Sequence, residues 1–294
     1  MQALATWSFQ PWLEGKNLYW SMTQHLLAAA SMSLASQLRV MGPPRVYTDS
    51  LGKEILSRLC PQADYAVVYN GFFDQYSTDL FALAKIQTYA DQTQPYCHVD
   101  LDWIWHSGPQ AHWRDLDLVV HGWERLDTEK YERGQNRYYN LEARRHLLGL
   151  PQILHHPNPR AVAAPNMGLV YMRNMQLNRR YCDLVWQVIR DNPQEFGRDR
   201  ADDALNICTV EQHFLGFVLG DMPQLRCDVV FPRRPEQPRM PINEIAVHFV
   251  GEMKMDRHLG ARQYRDNLLN ELASSQLIQD LAREIDSLRQ SRDN

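Results

Sequence analysis

The chain of 294 residues lacks a strong excess of charge of either sign. Its 31 Lys and Arg and 35 Asp and Glu leave a formal charge of -4, with a pI near 6.3. A protein that binds nucleic acid without sequence preference usually carries a marked basic excess. We therefore expect no nucleic-acid partner, although a local site for a nucleotide is compatible with this charge.

Cysteine is also scarce, and no two cysteines form a C-x-x-C pair. The five positions are Cys60, Cys97, Cys182, Cys208 and Cys227. This spacing indicates neither a zinc site nor a disulfide framework, because both need paired or closely spaced cysteines. A reducing cytoplasm is the expected location.

Long apolar runs are missing as well. No segment approaches the roughly 18 consecutive apolar residues that a membrane-spanning helix needs. The N-terminus has neither the basic region nor the apolar core of a signal peptide, so we expect none. Any contact with a membrane is therefore expected to be peripheral.

What the sequence does contain is an alternation of short apolar segments with helical ones. The predicted strands are 3–9, 45–49, 66–69, 96–105, 116–121, 161–172, 225–231 and 245–249. The predicted helices are 18–38, a helix that follows a turn at 50–52 and runs through 59, then 79–90, 176–191 and part of 202–219. This alternation is typical of an α/β fold with a parallel or mixed central sheet flanked by helices. Ligands of such folds lie beyond the carboxyl ends of the strands.

From about residue 261 the chain is predicted to be amphipathic helix to its end. Leu277, Leu281, Ile285 and Leu288 share one stripe of this helix. Acidic residues balance the basic ones, so the basic bias of a membrane-surface helix is missing. We expect the stripe to pack against its own domain or to form a homodimer.

Two carboxylates stand one residue apart in the apolar, aromatic stretch 96–105. Asp100 and Asp102 point to one face if the strand continues, and they converge if the chain turns there. Unpaired carboxylates this close repel each other and lose hydration. Mg²⁺ or Mn²⁺ removes that cost and often bridges to phosphate. The alternative is a solvated acidic turn at the end of a strand.

A segment far downstream supplies the other residue types of a metal–diphosphate site. His248, Gly251 and Lys254 form the pattern H-x-x-G-x-x-K. An imidazole can complete a Mn²⁺ shell that two carboxylates began. Glycine lets the backbone approach a phosphate, and lysine stabilises the charge of a departing diphosphate. Taken singly, each has a structural alternative: a capping histidine, a turn glycine and a solvated lysine.

Together the two motifs resemble those of GT-A glycosyltransferases. The downstream segment is similar to the signature of the retaining family that includes glycogenin and bacterial lipo-oligosaccharide galactosyltransferases. The resemblance implies that Asp100, Asp102 and His248 bind Mn²⁺ (or Mg²⁺), while Gly251 and Lys254, with Asp100, contact a UDP-sugar. The Pro-Trp that usually follows the lysine is missing, because residues 255 and 256 are Met and Asp.

Three shorter matches to that family are looser. Lys85 lies on the helix before the acidic pair, where the family often has a basic residue near the donor sugar. Asn166 and Gly168 resemble part of its Asn-Ala-Gly segment in the sugar pocket. Glu211 and Gln212 resemble its Asp-Gln pair beside the anomeric carbon.

The resemblance covers about residues 1–258 and extends to an uncharacterised bacterial group of GT-A-like proteins. It implies a GT-A (Rossmann-like) catalytic domain over 1–258, followed by a helical extension over 259–294. The implied activity is metal-dependent transfer of a sugar from a nucleoside diphosphate, UDP by resemblance, with retention. The acceptor stays open among glycans, lipids, peptides and proteins. The alternative function is a non-catalytic nucleotide-sugar-binding or interaction protein on the same scaffold.

The resemblance also suggests roles for single residues. Asn166, Glu211 and Gln212 would orient the sugar, with Glu211 acting as a nucleophile, a base or a hydrogen-bond acceptor. Asp49, at the end of a predicted strand, would bind the nucleoside or serve as a structural cap. His98 is expected either to be packed in the core or to support a metal ligand without binding the metal itself. Acceptor specificity is expected in the Arg/Tyr-rich segment 124–145, since excursions of this kind carry specificity.

Overall fold

The structure is a computed structural model that describes residues 1–13, 20, 22–124, 164–197, 209–232, 243–249 and 259–291. The chain divides into two compact units. The first unit comprises Gln2–Asn70, His98–Pro109 and Arg234–Asn294, and the second comprises Gly71–Cys97 and Gln110–Arg233.

The first unit contains a three-stranded parallel arrangement and a two-stranded antiparallel one. Its parallel strands pair in the order β3-β2-β1, and they are β1 (Gln2–Trp7), β2 (Arg45–Thr48) and β3 (Asp64–Val67). β4 (Tyr96–Val99) brings the chain into this unit, where β5 (Trp103–Trp105) follows. β5 pairs with β9 (Ala246–His248).

The first unit contains five helices within the described residues, and the residues after α2 explain why that helix ends there. They are α1 (Gln10–Leu13), α2 (Thr23–Met41) and α3 (Ser50–Leu59), with α8 (Leu259–Ala273) and α9 (Gln276–Gln290) near the C-terminus. α2 buries its run of small residues and ends at Gly42, whose φ of 87° suits only glycine well. Pro43 and Pro44 follow and prevent the helix from continuing.

The predicted C-terminal helix is present as two helices. Ser275 interrupts it, because its side chain accepts a hydrogen bond from Ile278 N–H and caps a new helix. Leu281 and Ile285 are buried as predicted, but Leu277 is 42% and Leu288 37% exposed. Ile278 and Ala282 complete the buried stripe, which joins the core of the first unit. The domain boundary at 258/259 and a homodimer through this region stay predictions.

The second unit is built on a mixed sheet in the order β7-β6-β8. Its strands are β6 (Leu118–Glu124), β7 (Ala164–Met172) and β8 (Cys227–Val229). β7 runs antiparallel to β6, and β8 runs parallel to it. Its helices are α4 (Leu83–Ala90), α5 (Met175–Asp191), α6 (Pro193–Phe196) and α7 (Phe214–Asp221), and a π-helical turn at Thr209–His213 leads into α7. Short 3-10 turns occupy Phe72–Asp74, Thr78–Leu80 and Ala111–Asp115.

The predicted α/β class, with a mixed, mostly parallel central sheet flanked by helices, is confirmed. The stretch 96–105 is two strands joined by a turn, which is one of the two conformations that the sequence left open. Helix α4 is shorter than the predicted helix 79–90, because it begins at Leu83. The segment 125–150, which contains nearly all of the predicted acceptor region, lies outside the described residues. Among the helices that are described, none is long and apolar enough to cross a membrane.

Candidate functional site

The acidic pair lies in a tight turn between β4 and β5. Trp103 N–H donates to the Asp100 carbonyl at 3.0 Å and closes this turn. Phe249 N–H, which follows β9, donates to the Asp102 carbonyl at 3.0 Å. Of the two conformations considered from the sequence, the structure therefore has the one in which the chain turns.

The pairing of β5 with β9 brings His248 to this turn, because His248 lies opposite Trp103 in the antiparallel register. One ligand atom from each of Asp100, Asp102 and His248 lies within 4.8 Å of the other two. His248 Nε2 and Asp102 Oδ1 are 3.1 Å apart. Asp102 and His248 are buried, whereas Asp100 is half-buried. The sequence-predicted metal ligands are thus brought together.

The donor set of this cluster fits a divalent cation. Two carboxylates and an imidazole offer the oxygen and nitrogen ligands that Mn²⁺ accepts, and the half-buried Asp100 leaves an approach from solvent. A cation would also neutralise two carboxylates that burial otherwise forces together. Within the described part of the chain, no other three His, Cys, Asp or Glu side chains meet the same distance. Gly251 and Lys254, predicted to contact the diphosphate, lie outside the described residues.

The second unit holds a buried ion pair between two sequence-predicted site residues. Lys85 Nζ on α4 donates to Glu211 Oε1 on the π-helical turn at 2.6 Å. Both side chains are only 10% exposed. The sequence indicated both residues singly, but not their contact, because 126 positions separate them.

Tyr181, which sequence reasoning missed, anchors this turn from α5. Its hydroxyl donates to the Glu211 carbonyl at 2.7 Å and lies 3.7 Å from Met167 Sδ on β7. Burial raises the pKa of Tyr181 well above its usual value, and the nearby Glu211 adds to the effect. The hydroxyl therefore stays protonated and donates at every physiological pH. A tyrosine on the buried face of an amphipathic helix carries no sequence signal for such a role.

The other residues predicted for the sugar pocket lie on β7 and on the π-helical turn. Asn166 on β7 accepts a hydrogen bond from Gly168 N–H at 2.9 Å through its side-chain oxygen. Asn166 and Gln212 are half-buried, whereas Gly168 is buried. β7 therefore presents the amide of Asn166 in a fixed local geometry, and contact of these residues with a sugar stays a prediction.

Asp49 is a structural cap, one of the two roles considered for it. Its Oδ1 accepts from Gly52 N–H at 2.7 Å and so caps α3. Its Oδ2 accepts from Phe9 N–H at 2.6 Å and from the Ser8 hydroxyl at 3.1 Å. The buried carboxylate thus joins the end of β2 to the end of β1, and nucleoside binding by Asp49 stays a prediction.

Two further histidines lie near these elements without joining the metal cluster. His98 on β4 is buried, and its Nε2 lies 3.0 Å from the Thr6 hydroxyl, so it packs inside the sheet. His213, at the end of the π-helical turn, is also buried. Burial lowers the pKa of His213 to about 4, which keeps its imidazole neutral at physiological pH.

The sequence of the chain matches the model of a family described as "Family of unknown function (DUF6734)" over residues 1–280. The chain belongs to this family. A comparison of this DUF6734 member with curated proteins gives no match.

Among solved structures, the DUF6734 chain is similar to two glycosyltransferases. Mouse xyloside xylosyltransferase 1 in its apo form has a TM-score of 0.40 and 11% identity, over 78% of this chain and 84% of that one. Galactosyltransferase LgtC in complex with donor and acceptor sugar analogues has a TM-score of 0.47 and 11% identity, over 93% and 95%. An active-site mutant of LgtC gives 0.47 and 12%, over 92% and 96%. At these TM-scores the functional argument rests on the residues of this chain.

Proposed function

We propose that this protein is a metal-dependent glycosyltransferase that moves a sugar from a nucleoside diphosphate, UDP by the resemblance of its motifs, to an acceptor. The observation that carries the proposal is the convergence of Asp100, Asp102 and His248. Asp102 and His248 come from segments 146 residues apart, yet their side chains are in contact. A solvated acidic turn would not need a buried imidazole as its neighbour.

The three ligands would hold Mn²⁺, or less readily Mg²⁺, whose preference for oxygen makes an imidazole ligand less favourable. The bound cation supplies positive charge to the diphosphate as the anomeric C–O bond breaks. Asp102 and His248 fix its position because both are buried and held by β5 and β9. Half-buried Asp100 also faces the nucleotide in this proposal. Gly251 and Lys254 are proposed as contacts to the same diphosphate.

A further set of residues is proposed, from the motifs alone, to contact the donor sugar: Lys85, Asn166, Gly168, Glu211 and Gln212. Glu211 would accept hydrogen bonds from sugar hydroxyls through the carboxylate that pairs with Lys85. Asn166 and Gln212 would add donors and acceptors, with Gly168 shaping the backbone beside them. Contact between Lys85 and Glu211 also lowers the nucleophilicity of the carboxylate, so we favour the role of hydrogen-bond acceptor for Glu211.

Several finer statements belong to the same proposal. The reaction is proposed to retain the anomeric configuration, as in the family whose motifs this chain resembles. The acceptor is a glycan, lipid, peptide or protein, and segment 124–145 is proposed to select it. The protein is proposed to act in the cytoplasm, or at a membrane surface if the acceptor is lipid-linked.

Calorimetry of the full chain with nucleoside diphosphates, with and without Mn²⁺, tests the proposal. We expect UDP to bind only with the metal, and Asp102→Ala to abolish that binding. Asp64→Ala is the matched control, because Asp64 is an exposed acid in the same unit that pairs with Arg45. The proposal fails if no nucleoside diphosphate binds at any metal concentration.

A second measurement separates an enzyme from a binding protein. Glycosyltransferases generally hydrolyse their donor slowly when no acceptor is present, so a panel of UDP-sugars incubated with Mn²⁺ should yield free UDP from one of them. Binding of a UDP-sugar without release of UDP, even with candidate acceptors added, would favour the non-catalytic alternative. Loss of UDP release in Glu211→Gln, with UDP affinity unchanged, would support the assignment of the sugar residues.

A further inference from the structure

Helix α2 contacts the start of the turn that carries the two aspartates and the end of strand β5 that follows the turn. The Ser33 hydroxyl donates to the Asp100 carbonyl at 3.3 Å, and Trp105 N–H donates to Ser36 Oγ at 3.0 Å. Arg39 donates from one guanidinium nitrogen to the Trp105 carbonyl at 2.6 Å. These three side chains follow one another at intervals of three residues, so one side of α2 spans from the start of the turn to the end of β5.

The serines are unusual for the middle of a helix, because both are buried in an apolar surrounding. Ser33 is fully buried and Ser36 is 6% exposed. Ser36 donates to the Ser33 carbonyl at 2.8 Å, which directs an oxygen lone pair to Trp105 N–H. Gln37 donates to Ser33 Oγ at 3.3 Å and so orients the Ser33 hydroxyl toward Asp100. Buried hydroxyls cost free energy unless they are hydrogen-bonded, and here the turn supplies the partners.

We propose that Ser33, Ser36 and Arg39 are positioning residues that set the separation of the metal ligands before a cation binds. Without a cation, Asp100 and Asp102 repel each other, and a turn held only at its centre would open to relieve that repulsion. α2 anchors the backbone at Asp100 and at Trp105, the last residue of the three-residue strand β5, so that Asp102 between these two anchors is kept close to Asp100. The inference rests on the proposed metal site and adds to it the side chains that hold its ligands in place.

A change in cation selectivity distinguishes a role in positioning the metal ligands from a general effect on the stability of the folded chain. Ca²⁺ accepts longer and more variable ligand distances than the smaller cations. A turn released from α2 should therefore lose affinity for Mn²⁺ while keeping much of its affinity for Ca²⁺. A substitution that only destabilises the folded chain lowers the fraction of competent protein and leaves the ratio of the two affinities unchanged.

The test measures Mn²⁺ binding by electron paramagnetic resonance and Ca²⁺ binding by competition, in the full chain. We expect Ser36→Ala to weaken Mn²⁺ binding roughly 10-fold, the lower end of effects seen for groups that support metal ligands. Arg39→Met should weaken it several-fold and Arg39→Lys should restore much of it, since lysine still reaches the carbonyl as a donor. Tyr65→Phe is the control: it removes hydrogen bonds to the Leu56 and Cys60 carbonyls in the same unit.

The outcomes separate this inference from the proposed function. If the wild-type chain binds Mn²⁺ and the Mn²⁺/Ca²⁺ affinity ratio is the same in Ser36→Ala and Arg39→Met, the positioning role is refuted alone. An equal change of the ratio in Tyr65→Phe refutes it as well. If the wild-type chain does not bind Mn²⁺, both the metal site and the inference fail. Should Ser36→Ala not fold, Arg39→Met decides, because Arg39 is exposed.

Discussion

The ion pair between Lys85 and Glu211 leads to a quantitative prediction. Replacing Lys85 with Met keeps an unbranched side chain of similar length but removes the ammonium group. Glu211 would then be left as a buried carboxylate without the partner that lies 2.6 Å from its Oε1. We expect a large loss of stability from this one change, because charge burial is costly once its compensation is removed.

The size of the loss follows from burial. Both side chains are 10% exposed, so water screens their interaction only weakly. Breaking a buried pair from one side typically costs about 3–5 kcal/mol, whereas replacing both partners with apolar residues is often close to neutral. We therefore expect Lys85→Met to lower the free energy of unfolding by about 3–5 kcal/mol. The double variant Lys85→Met with Glu211→Leu should recover most of that loss.

Urea-induced unfolding of the full chain at neutral pH, followed by tryptophan fluorescence, measures these differences. Arg180→Met is the matched control, since Arg180 pairs with Asp221 in the same unit but its side chain is 50% exposed. The control should lose no more than about 1 kcal/mol. A loss for Lys85→Met as small as that of Arg180→Met would refute the argument from burial. The double variant also separates stability from function, because it should fold and yet release no UDP from a UDP-sugar.

Three further predictions concern the elements around the candidate site. Asp49→Ala should lower the free energy of unfolding by at least about 2 kcal/mol, measured in urea, because it removes the α3 cap and the acceptor of Phe9 N–H; unchanged stability with weaker UDP binding would instead favour the nucleoside role. His213 has a pKa of about 4 in the fold against 6.5 for its ordinary value. Its neutral form stabilises the fold above pH 6.5, and this contribution of up to about 3 kcal/mol is lost as the pH falls to 4. Urea unfolding from pH 7 to 4 should therefore show a smaller loss for His213→Phe than for wild type, and equal losses would contradict the assignment. Ser275→Ala should cost about 0.5–1 kcal/mol in the same assay, as expected for an N-cap with a long hydrogen bond, and no loss would mean that the break before α9 does not need the cap.

Much of the fold could be predicted because its signals are local. The predicted helix end at Leu59 is confirmed, although α3 already begins at Ser50, in the segment predicted as the turn into it. Gly42 with the two prolines after it marks the end of α2 within a few residues of the prediction. Helix α5 agrees with the predicted helix 176–191 to within one residue, and the structure buries one apolar side of it. These features depend on residues within one or two turns of each other, so a single sequence contains them.

The prediction was less accurate where distant segments compete with local preference. The stretch 96–105 has the composition of one strand, but contacts from α2 and β9 hold a turn at its centre. Leu277 and Leu288 share the predicted stripe of α9 and yet remain exposed, because the helix turns Ile278 and Ala282 toward the core. In each case a contact partner far along the chain decides the result.

The sequence by itself determined the α/β class, the residue types of a metal–diphosphate site and their resemblance to one enzyme family. It could not decide whether Asp100 and Asp102 converge, whether His248 reaches them or whether Lys85 pairs with Glu211. The tertiary structure decided these points, since the register of β5 against β9 places His248 and the fold brings the side chain of Lys85 on α4 within 2.6 Å of Glu211. The physical reason is the separation along the chain over which each effect acts. Periodicity and capping act over a few residues, whereas the ligands of the site meet only after segments 146 residues apart have paired.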